Sequence, residues 1–545
     1  MEFNLAQVSE AIAEAVPERE MIVFRDRRLR YGEVQERTRR LANLLRSHGL
    51  GVHRDRSELA PWESGQDHLA LYLYNGNEYL EGMLGAYKAR VAPFNVNYRY
   101  VEDELVYLLR DSKARGIVYH AEFAPKLASI RGQLPELELL IQVQDESGEA
   151  LLPGAIDYES ALAAASPERP DCEWSPDDLY LLYTGGTTGM PKAVAWRQAD
   201  IFVASLGGRQ LDGTEYASLD EIVEAAKSDA TAMMPTPPFM HGAAHWTAFS
   251  AFTGGNTVVV QNDPKRLDTE DVLSRAAQEK VAVMVIVGDA FARPLLDELR
   301  RKPYDLGALR VLGSGGAPLG AQLKDQLFEV LPDVMINDGV GSSETGAQAL
   351  NVATRHAKAT AGTFSLLKGA CVLSGDLQRL LEPGDDEIGW FAQMGRVPLG
   401  YLGDEAKTER TFPTLGGVRY AVPGDRAKLR HDGVLELLGR DSVTINSGGE
   451  KIFAEEVEEA VKRHPDVYDA VVCGRPSERW GQEVVAVVQL REGAEPDEQG
   501  LRELCSAHLA RYKLPKAFLF RSAIQRSPSG KADYRWARAQ VESGS

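Results

Sequence analysis

Hydrophobic and polar positions follow two different periods in the first 440 residues. The segment 31–50 repeats apolar residues at helical spacing, and Gly49 is suited to end that helix. The apolar runs 69–75 and 114–120 predict strands on either side of a helical stretch at 101–112. The pattern therefore predicts helices and strands in alternation.

The same alternation returns at 281–288 and 308–318, which favours parallel βαβ units. The polar, proline-rich segment 145–178 predicts a surface connection with one short helical patch. After residue 438 the pattern changes to a predicted helix at 454–464, two strands, a second helix and a last strand. About 100 residues of this kind are enough for a small α+β domain.

A chain of 545 residues exceeds the size at which one hydrophobic core stops growing. We therefore predict two domains, 1–440 and 441–545. The net charge of −19 disfavours a broad basic surface for nucleic acid or anionic lipid. An anionic ligand must then be held by local cations, by backbone N–H groups or by a metal.

The cysteines are far apart and show no CxxC spacing, which predicts free thiols in a reducing compartment: Cys172, Cys371, Cys473 and Cys505. The first 20 residues are acidic and amphipathic, unlike a secretory signal. The most apolar short run, 281–287, is far below the ~20 residues that span a bilayer. These features predict a cytoplasmic protein without stable membrane insertion.

The stretch YTGGTTGMPK (183–192) follows a β-prone run and combines three glycines, three threonines and a lysine. Glycines let backbone N–H groups converge on a phosphate, while threonine hydroxyls and a lysine add donors and charge. A Walker A loop requires Ser or Thr after its lysine, whereas Ala193 follows Lys192 here. A phosphate-binding loop of another type is predicted, with a plain glycine-rich turn as the alternative.

Thr184 to Lys192 resembles the signature loop of the adenylate-forming (ANL) acyl-CoA synthetases, a family that includes luciferases and peptide-synthetase adenylation domains. Further matching motifs occur in the family's order from LGAYKARVAPFNVNYRY (84–100) to SPSGKADYRW (527–536). The resemblance implies an α/β fold: a large N-terminal domain with βαβ subdomains and a distorted β-barrel, plus a small mobile α+β C-terminal domain.

The resemblance also implies a nucleotide site, in which Asp425 bonds the ribose and Glu344 helps to hold Mg²⁺. A carboxylate is a natural oxygen ligand for Mg²⁺ beside nucleotide phosphates. Val340 stands where the family usually has an aromatic residue, and Pro423 replaces Ser or Thr. The implied nucleotide-binding residues are Thr184, Gly185, Gly186, Thr187, Thr188, Gly189, Gly316, Ala317, Pro318, Asp338, Gly339, Val340, Gly341, Ser343, Asp425 and Arg440.

The implied acyl pocket is formed by Phe239, Met240, Trp246, Gly315 and Gly346. His241 is a catalytic candidate beside this pocket, with a purely structural histidine as the alternative. The coenzyme A (CoA) tunnel would be lined by Ser447, Gly448, Gly449, Glu450 and Lys451. Ser442 occupies the hinge position, where most members carry Asp or Lys.

The catalytic residues implied are Lys531, Glu344, Lys192 and His241. In the implied mechanism, ATP converts a carboxylate to an acyl-adenylate, and CoA then displaces AMP. Preorganised positive charge would offset the charge that builds on the phosphoryl oxygens. The C-terminal domain would rotate about Ser442 between the two steps, with Lys531 serving the first.

The motif set is most similar to actinobacterial synthetases for bulky lipids, so we expect a steroid- or terpenoid-like acid or a fatty acid as substrate. One alternative is an adenylation-impaired member that thioesterifies a supplied acyl-adenylate. It rests on Val340, Ser442 and Ala193, whose methyl group would be strained at positive φ or would crowd a phosphate. Loading of a carrier protein and a non-catalytic binding protein are further alternatives. The sequence predicts no nucleic-acid partner and leaves a homodimer open.

Overall fold

The structure is a computed structural model, and it describes residues 2–184, 190–210, 212–357, 362–447, 450–477, 480–527 and 530–543. In the helix predicted within 31–50, Val34, Leu41 and Leu45 are all buried. The chain leaves this helix at Gly49, whose φ of +76° favours glycine.

The N-terminal part alternates helices and strands, as the pattern predicts. Its elements are α1 (Leu5–Ala15), β1 (Glu20–Phe24), β2 (Arg27–Arg30), α2 (Tyr31–Ser47), β3 (His68–Tyr72), α3 (Asn77–Lys88), β4 (Ala92–Asn95), α4 (Glu102–Asp111), β5 (Ala114–His120), α5 (Ala124–Ile130), β6 (Leu139–Val143), β7 (Ile156–Asp157) and α6 (Tyr158–Ala164). Strands β4, β3, β5, β6 and β7 form a parallel sheet in that order.

The central part carries most of the motifs. Its elements are β8 (Leu179–Thr184), β9 (Lys192–Arg197), α7 (Gln198–Ser205), α8 (Leu219–Ala226), β10 (Ala232–Pro235), α9 (Gly242–Thr253), β11 (Thr257–Val260), α10 (Thr269–Gln278), β12 (Val281–Ile286), α11 (Gly288–Arg301), β13 (Val311–Gly315), α12 (Ala321–Val330) and β14 (Met335–Ser342).

Mainly antiparallel strands follow, and all of them except β19 extend the largest sheet. The elements are β15 (Gly346–Ala353), β16 (Thr363–Leu366), β17 (Ala370–Leu373), β18 (Gly389–Met394), β19 (Gly400–Tyr401), α13 (Glu405–Thr411), β20 (Thr414–Leu415), β21 (Val418–Ala421), β22 (Asp425–Leu429) and β23 (Leu435–Arg440).

The largest sheet has the order β2-β1-β11-β10-β12-β13-β14-β15-β16-β23-β22-β18-β21-β20, with β17 also on β18. Within this sheet, β11, β10, β12, β13 and β14 pair in parallel, each with its neighbour in that order. This confirms the predicted βαβ arrangement. The described strands follow an open order, so the distorted barrel remains a prediction. Strands β8, β9 and β19 form a separate antiparallel sheet.

The last part is an α+β module, as predicted. It consists of β24 (Ile445–Ser447), β25 (Glu450–Ile452), α14 (Ala454–Lys462), β26 (Val467–Ser477), β27 (Gly481–Leu490), α15 (Glu498–His508), β28 (Ala517–Phe520) and α16 (Tyr534–Ser543). Helix α16 was not predicted. Its buried residues Ala537 and Val541 belong to a small core cluster beside β26 and β27.

The two sheet systems separate just after the nucleotide-motif strands. β23 ends at Arg440 in the large sheet, while β24 begins at Ile445 and pairs with β25 and β27. A short 3₁₀ turn, Asp441–Val443, links them. None of the helices within the described residues has the length and apolar character needed to cross a membrane.

Candidate active site

The glycine-rich motif connects β8 to β9. Thr184 and Lys192 are paired across the two strands, so Lys192 is held at the base of this connection. The predicted phosphate ligands Gly185 to Gly189 lie outside the described residues. The Lys192 Nζ donates to the Asp111 Oδ1 at 2.8 Å. The ammonium group therefore has a fixed position.

Asp111 ends helix α4 and gathers several donors. The Tyr183 hydroxyl donates to its Oδ2 at 3.0 Å, and the Tyr107 hydroxyl lies 3.3 Å from its Oδ1. Burial alone would lower the pKa of Lys192, but the hydrogen bond and charge of Asp111 raise it above its usual value. Asp111 thus keeps Lys192 protonated as well as oriented.

Ala193 corrects an expectation drawn from the sequence. It is a buried residue of β9, paired with Tyr183, and its carbonyl accepts from the Leu402 N–H at 2.9 Å. It is not among the residues with positive φ. The predicted backbone strain is therefore absent, and the methyl group belongs to the hydrophobic core.

The connection between β14 and β15 presents Glu344. The Glu344 N–H donates to the Ser342 hydroxyl at 3.2 Å, and the Trp196 indole N–H donates to the Ser343 carbonyl at 2.9 Å. The Tyr401 hydroxyl then donates to the Glu344 Oε1 at 2.7 Å. The carboxylate is oriented by β19, from outside its own hairpin.

Gly346 ends this connection with a φ of +69°. A Cβ there would lie 2.9 Å from the Ala204 Cβ and 2.8 Å from the Ser205 hydroxyl of α7. The position is packed by helix α7. The structure thus gives Gly346 a packing function, and its assignment to the acyl pocket remains a prediction.

Two glycine-containing strand ends lie side by side at the carboxyl edge of the parallel strands. Gly315 of β13 is in register with Gly339 of β14. Gly316 follows with a φ of +83°, and a Cβ there would be 3.9 Å from the Lys531 Cε. The carbonyls of Ala317 and Pro318 lie close to Gly288 at the start of α11, and the Pro318 carbonyl accepts from the Asp289 N–H at 3.0 Å.

The neighbouring predicted residues divide into exposed and internal ones. The Asp338 carboxylate is buried and bonds the Lys324 Nζ at 2.9 Å, while burial raises its pKa to about 6. Its side chain is therefore engaged inside the fold. Val340 packs against a hydrophobic cluster, whereas Gly341 is exposed at a β-bulge.

Asp425 and Arg440 face each other across β22 and β23. Their backbones are in register, and the Arg440 Nε lies 3.5 Å from the Asp425 Oδ1. Burial opposes the charge of Arg440, but Asp425 and Glu344 outweigh it and raise the arginine pKa. Two predicted nucleotide contacts thus form one ion pair.

Lys531 projects from the C-terminal module towards these groups. Desolvation is the main cause that lowers its pKa, Arg440 lowers it further, and Glu344 and Asp425 oppose the shift. The residue nevertheless remains exposed to solvent, as expected for a side chain that enters an open cleft. The structure therefore brings together Lys531, Glu344, Asp425, Arg440 and Gly316.

Two histidines lie beside the predicted acyl pocket. Burial and then Lys531 lower the pKa of His241 to about 3, and its buried Nε2 has no hydrogen-bond partner within the described residues. The His245 Nδ1 donates to the Phe239 carbonyl at 2.7 Å, and its Nε2 accepts from the Tyr180 hydroxyl. His245 is thus satisfied structurally, whereas the hydrogen-bonding capacity of the His241 Nε2 is unused among the described residues.

Of the three large side chains predicted for the pocket, Phe239, Met240 and Trp246, that of Trp246 alone is partly accessible. Phe239 and Met240 are almost completely buried. The Trp246 indole N–H donates to the Tyr180 hydroxyl at 2.7 Å, which fixes the orientation of the ring. Phe239 and Met240 therefore support the pocket region from behind.

The predicted hinge and CoA residues lie where the chain enters the C-terminal module. Ser442 is in the middle of the linking 3₁₀ turn. Ser447 pairs with Glu450 in the β24–β25 hairpin, and Lys451 lies 3.5 Å from Asp441 between Nζ and Oδ1. Gly448 and Gly449 lie outside the described residues.

Sequence reasoning missed Asp111, Tyr401 and Lys407. Asp111 precedes Lys192 by 81 positions, and nothing in the local pattern of either residue indicates the contact. Tyr401 and Lys407 lie in a polar stretch between the recognised motifs. These groups become visible only when the fold brings β8, β9, α4 and α13 together.

The donor set at Glu344 fits a magnesium ion that is bound together with a nucleotide. No group of three or more His, Cys, Asp or Glu side chains suitable for a metal occurs among the described residues. Mg²⁺ is commonly bound by one or two carboxylates plus substrate phosphates. The single carboxylate of Glu344 is compatible with that mode.

Comparison with known proteins agrees with this geometry. A family model described as "AMP-binding enzyme" matches residues 9–385, and one described as "AMP-binding enzyme C-terminal domain" matches residues 456–531. A medium-chain acyl-CoA ligase, Mig, from Mycobacterium avium is 56% identical over 99% of both chains.

A 3-oxocholest-4-en-26-oate–CoA ligase from Rhodococcus rhodochrous is 38% identical, covering 99% of this chain and 96% of its own. The solved structure of the anthranilate CoA ligase AuaEII with anthranoyl-AMP has a TM-score of 0.83 at 22% identity. It covers 100% of this chain and 98% of its own. This last likeness supports the fold.

Proposed function

The chain belongs to the AMP-binding enzyme family, and we propose that it is an AMP-forming acyl-CoA ligase for an apolar carboxylic acid. The overall reaction converts the acid, ATP and CoA into acyl-CoA, AMP and pyrophosphate. A 56% identical relative is named for medium-chain acids and a 38% identical relative for a steroid side-chain acid. We place a medium-chain fatty acid first and a bulkier polycyclic acid second.

The observation that carries this proposal is the position of Lys531. A residue near the C-terminus reaches Gly316, at the edge of the central sheet, and shares an electrostatic environment with Glu344, Asp425 and Arg440. A lysine in a solvated tail would show none of these neighbours. A cation placed among nucleotide-site residues of another sheet system suits the adenylation step.

In the first half-reaction, a carboxylate oxygen attacks the α-phosphorus, and the bond from that phosphorus to the bridging oxygen of pyrophosphate breaks. Lys531 and Lys192 provide positive charge where the phosphoryl oxygens gain charge. Glu344 would hold Mg²⁺, which supplies further charge neutralisation at the phosphates when it is bound. Asp425 and Arg440 orient the nucleotide.

In the second half-reaction, the CoA sulfur forms a bond to the acyl carbon, the bond to the AMP oxygen breaks, and the thiol proton is released. We propose that the division at 440/441 and the turn around Ser442 allow the C-terminal module to exchange Lys531 for the 447–451 hairpin. His241 is neutral in this account and offers its Nε2 to the reacting acyl group.

The adenylation-impaired alternative loses its main support. Ala193 lies unstrained inside β9, and Lys192 is held in a charged, oriented state by Asp111. The complete two-step reaction is therefore the better interpretation. Transfer to a carrier protein stays the second candidate for the acceptor, and the homodimer stays a prediction.

The test is product analysis with purified protein, ATP, Mg²⁺ and a panel of medium-chain, long-chain and sterol side-chain acids. Mass spectrometry should detect acyl-AMP without CoA and acyl-CoA with it, and the acid with the highest kcat/KM defines the substrate class. A phosphopantetheinylated carrier protein replaces CoA in a parallel series. If no acid gives acyl-AMP while supplied acyl-adenylates become acyl-CoA, the proposal of a complete ligase is wrong.

A further inference from the structure

Lys407 is a half-buried cation whose ammonium group makes no direct polar contact with the described residues. It lies on α13, and its Nζ is 3.9 Å from the centroid of the Tyr401 ring. No hydrogen bond or ion pair to its ammonium group occurs within the part of the chain that the structure describes. One face of the ammonium is therefore covered by an aromatic ring, and its N–H donors remain available.

The backbone places this cation near the start of β9, the strand that follows the glycine-rich motif. Tyr401 of β19 is in register with Val194 of β9, and the Leu402 N–H donates to the Ala193 carbonyl at 2.9 Å. Lys407 follows on the next helix, close to the strand that begins at Lys192. The ring that supports Lys407 also donates its hydroxyl to Glu344.

The electrostatic surroundings of Lys407 agree with that placement. Desolvation is the main cause that lowers its pKa; Glu344 and Asp404 oppose this effect, and Lys192 and Arg410 add to it. Lys192 and Lys407 thus lie close enough for their charges to act on each other, while the Asp404 side chain caps the α13 backbone. A partly desolvated cation next to another cation is unfavourable unless an anion joins them.

We propose that Lys407 is a phosphate-binding residue that donates to the β- and γ-phosphate oxygens of ATP and to the departing pyrophosphate. This inference rests on the proposed function and adds a cation that the recognised motifs do not contain. As the bond from the α-phosphorus breaks, its electron pair passes to the bridging oxygen of pyrophosphate. Lys407 and Lys192 flank the negative charge that this oxygen and its neighbours acquire.

The test compares Lys407→Met with Arg410→Gln, an exposed residue of the same helix whose replacement removes the same charge. Calorimetry in the presence of Mg²⁺ measures the dissociation constants of ATP and AMP. Pyrophosphate is measured as an inhibitor of ATP binding. AMP lacks the two phosphates in question, so it reports damage to the rest of the site.

For Lys407→Met we expect the ATP and pyrophosphate constants to rise by about 10- to 100-fold, the range of one lost charged hydrogen bond. The AMP constant should change by less than about twofold, and Lys407→Arg should recover most of the ATP affinity. Arg410→Gln should leave all three constants near the parent values. Equal weakening of ATP and AMP binding, or no weakening of either, would overturn the assignment.

Failure of this inference and failure of the proposed function are separate results. If the parent forms acyl-AMP but Lys407→Met binds ATP like the parent, the ligase stands and the inference falls. If the parent forms no acyl-AMP from any acid, the ligase proposal fails. The selective loss of ATP and pyrophosphate binding still decides the assignment of Lys407 in that case.

Discussion

Lys192 and Lys531 approach the same cleft from two differently built supports. Lys192 begins a strand in a sheet whose neighbouring residues are buried, and Asp111 holds its ammonium at 2.8 Å. Lys531 lies beyond the last strand of the C-terminal module, and Gly530 beside it packs against Val287 and Ala290. Lys192 thus belongs to a sheet of the large domain, whereas Lys531 is carried by the C-terminal module.

The polar contacts between the two parts include a long ion pair and a cation–π contact. The Lys462 Nζ lies 3.5 Å from the Asp289 Oδ2, and the Arg293 guanidinium is 5.3 Å from the centroid of the Tyr468 ring. The ion pair is longer than a typical charged hydrogen bond, although both of its side chains are largely buried. The comparison agrees with the proposed exchange, in which Lys192 stays in the nucleotide site and Lys531 leaves it with the C-terminal module.

The largest effect is expected when Lys531, the lysine of the C-terminal module, is removed. Lys531→Ala should lower acyl-AMP formation by about 100- to 1,000-fold, as for the loss of one preorganised charge at the reacting centre. Thioester formation from a supplied acyl-adenylate should persist, because the fixed side is intact. Both rates are measured by mass spectrometry, with exposed Lys516→Ala as the control. Equal loss of both half-reactions would contradict the division of labour.

Loosening the fixed lysine should have a smaller effect. Asp111→Asn is expected to raise the KM for ATP about 10-fold, because Lys192 loses a charged partner. Since Asp111 raises the pKa of Lys192, the alkaline limit of adenylation should also move to lower pH. Steady-state kinetics between pH 7 and 10 measure both effects.

The matched control for that change is Asp103→Asn, an exposed residue on the same helix α4. It removes the same charge far from Lys192 along the helix. If Asp103→Asn and Asp111→Asn give the same pH profile, the contact between Asp111 and Lys192 has no functional weight.

Crowding at Gly530, where the C-terminal module contacts the large domain, should lower the adenylation rate a few-fold. Gly530 has a φ of +73°, and a Cβ there would lie 3.2 Å from the Val287 Cγ1. Gly530→Ala should lower adenylation about threefold to tenfold through strain and crowding of about 1–2 kcal/mol. Gly493→Ala has a φ of +82° and open space around its Cβ, so it isolates the strain alone. Identical kinetics for the two variants would rule out crowding at Val287.

The junction itself should respond modestly to pH. Burial and then Glu458 raise the pKa of Glu455 to about 8 from 4.5, and its Oε2 has no hydrogen-bond partner among the described residues. The folded protein keeps this proton longer than the unfolded chain, so stability should fall as the pH rises from about 4.5 to about 8. The loss should be at least about 1 kcal/mol, because one pKa unit corresponds to about 1.4 kcal/mol.

Glu455→Gln should remove that fraction of the pH dependence in denaturant titrations at pH 5 and pH 8. Asp425 and Arg440 act on Glu455 as well, and they stay in place in this variant. Glu459, a partly exposed residue of the same helix that pairs with Arg463, provides the control as Glu459→Gln. A stability difference between the two pH values that is unchanged in Glu455→Gln would contradict the prediction.

The smallest expected effect belongs to Ala193. Ala193→Gly should cost about 0.5–1 kcal/mol in thermal unfolding, because glycine weakens a buried strand. Adenylation should change by less than about twofold, since no phosphate contact is relieved. A clear increase in acyl-AMP formation would restore the hypothesis that this methyl group crowds the loop.

The sequence was informative wherever the physics is local. Periodicity found α2, α4 and the strands β3, β5, β12 and β13, because burial of one face is written into neighbouring residues. It also found the C-terminal module, apart from α16, whose apolar positions are sparse. The resemblance pointed to Lys531, which the structure brings beside Gly316.

Long-range pairing could not be predicted in this way. The contact of Lys192 with Asp111 and that of Tyr401 with Glu344 join residues from separate elements. The predicted strain at Ala193 was wrong because its backbone conformation depends on pairing with Tyr183 and Leu402. The roles of the nucleotide and acyl residues remain proposals that the variants above address.

The chain of donors behind Trp246 has a consequence for molecular recognition. Its indole N–H donates to the Tyr180 hydroxyl, and that hydroxyl donates to the His245 Nε2. The His245 Nδ1 donates in turn to the Phe239 carbonyl. In the proposed acyl pocket, Trp246 therefore offers only carbon atoms to an acid, and the direction of these bonds cannot reverse while His245 stays neutral. A surface without free donors or acceptors selects a substrate by its shape and cannot recognise a hydroxyl group by hydrogen bonding. Discrimination against a hydroxylated analogue at this position is therefore limited to about 100-fold.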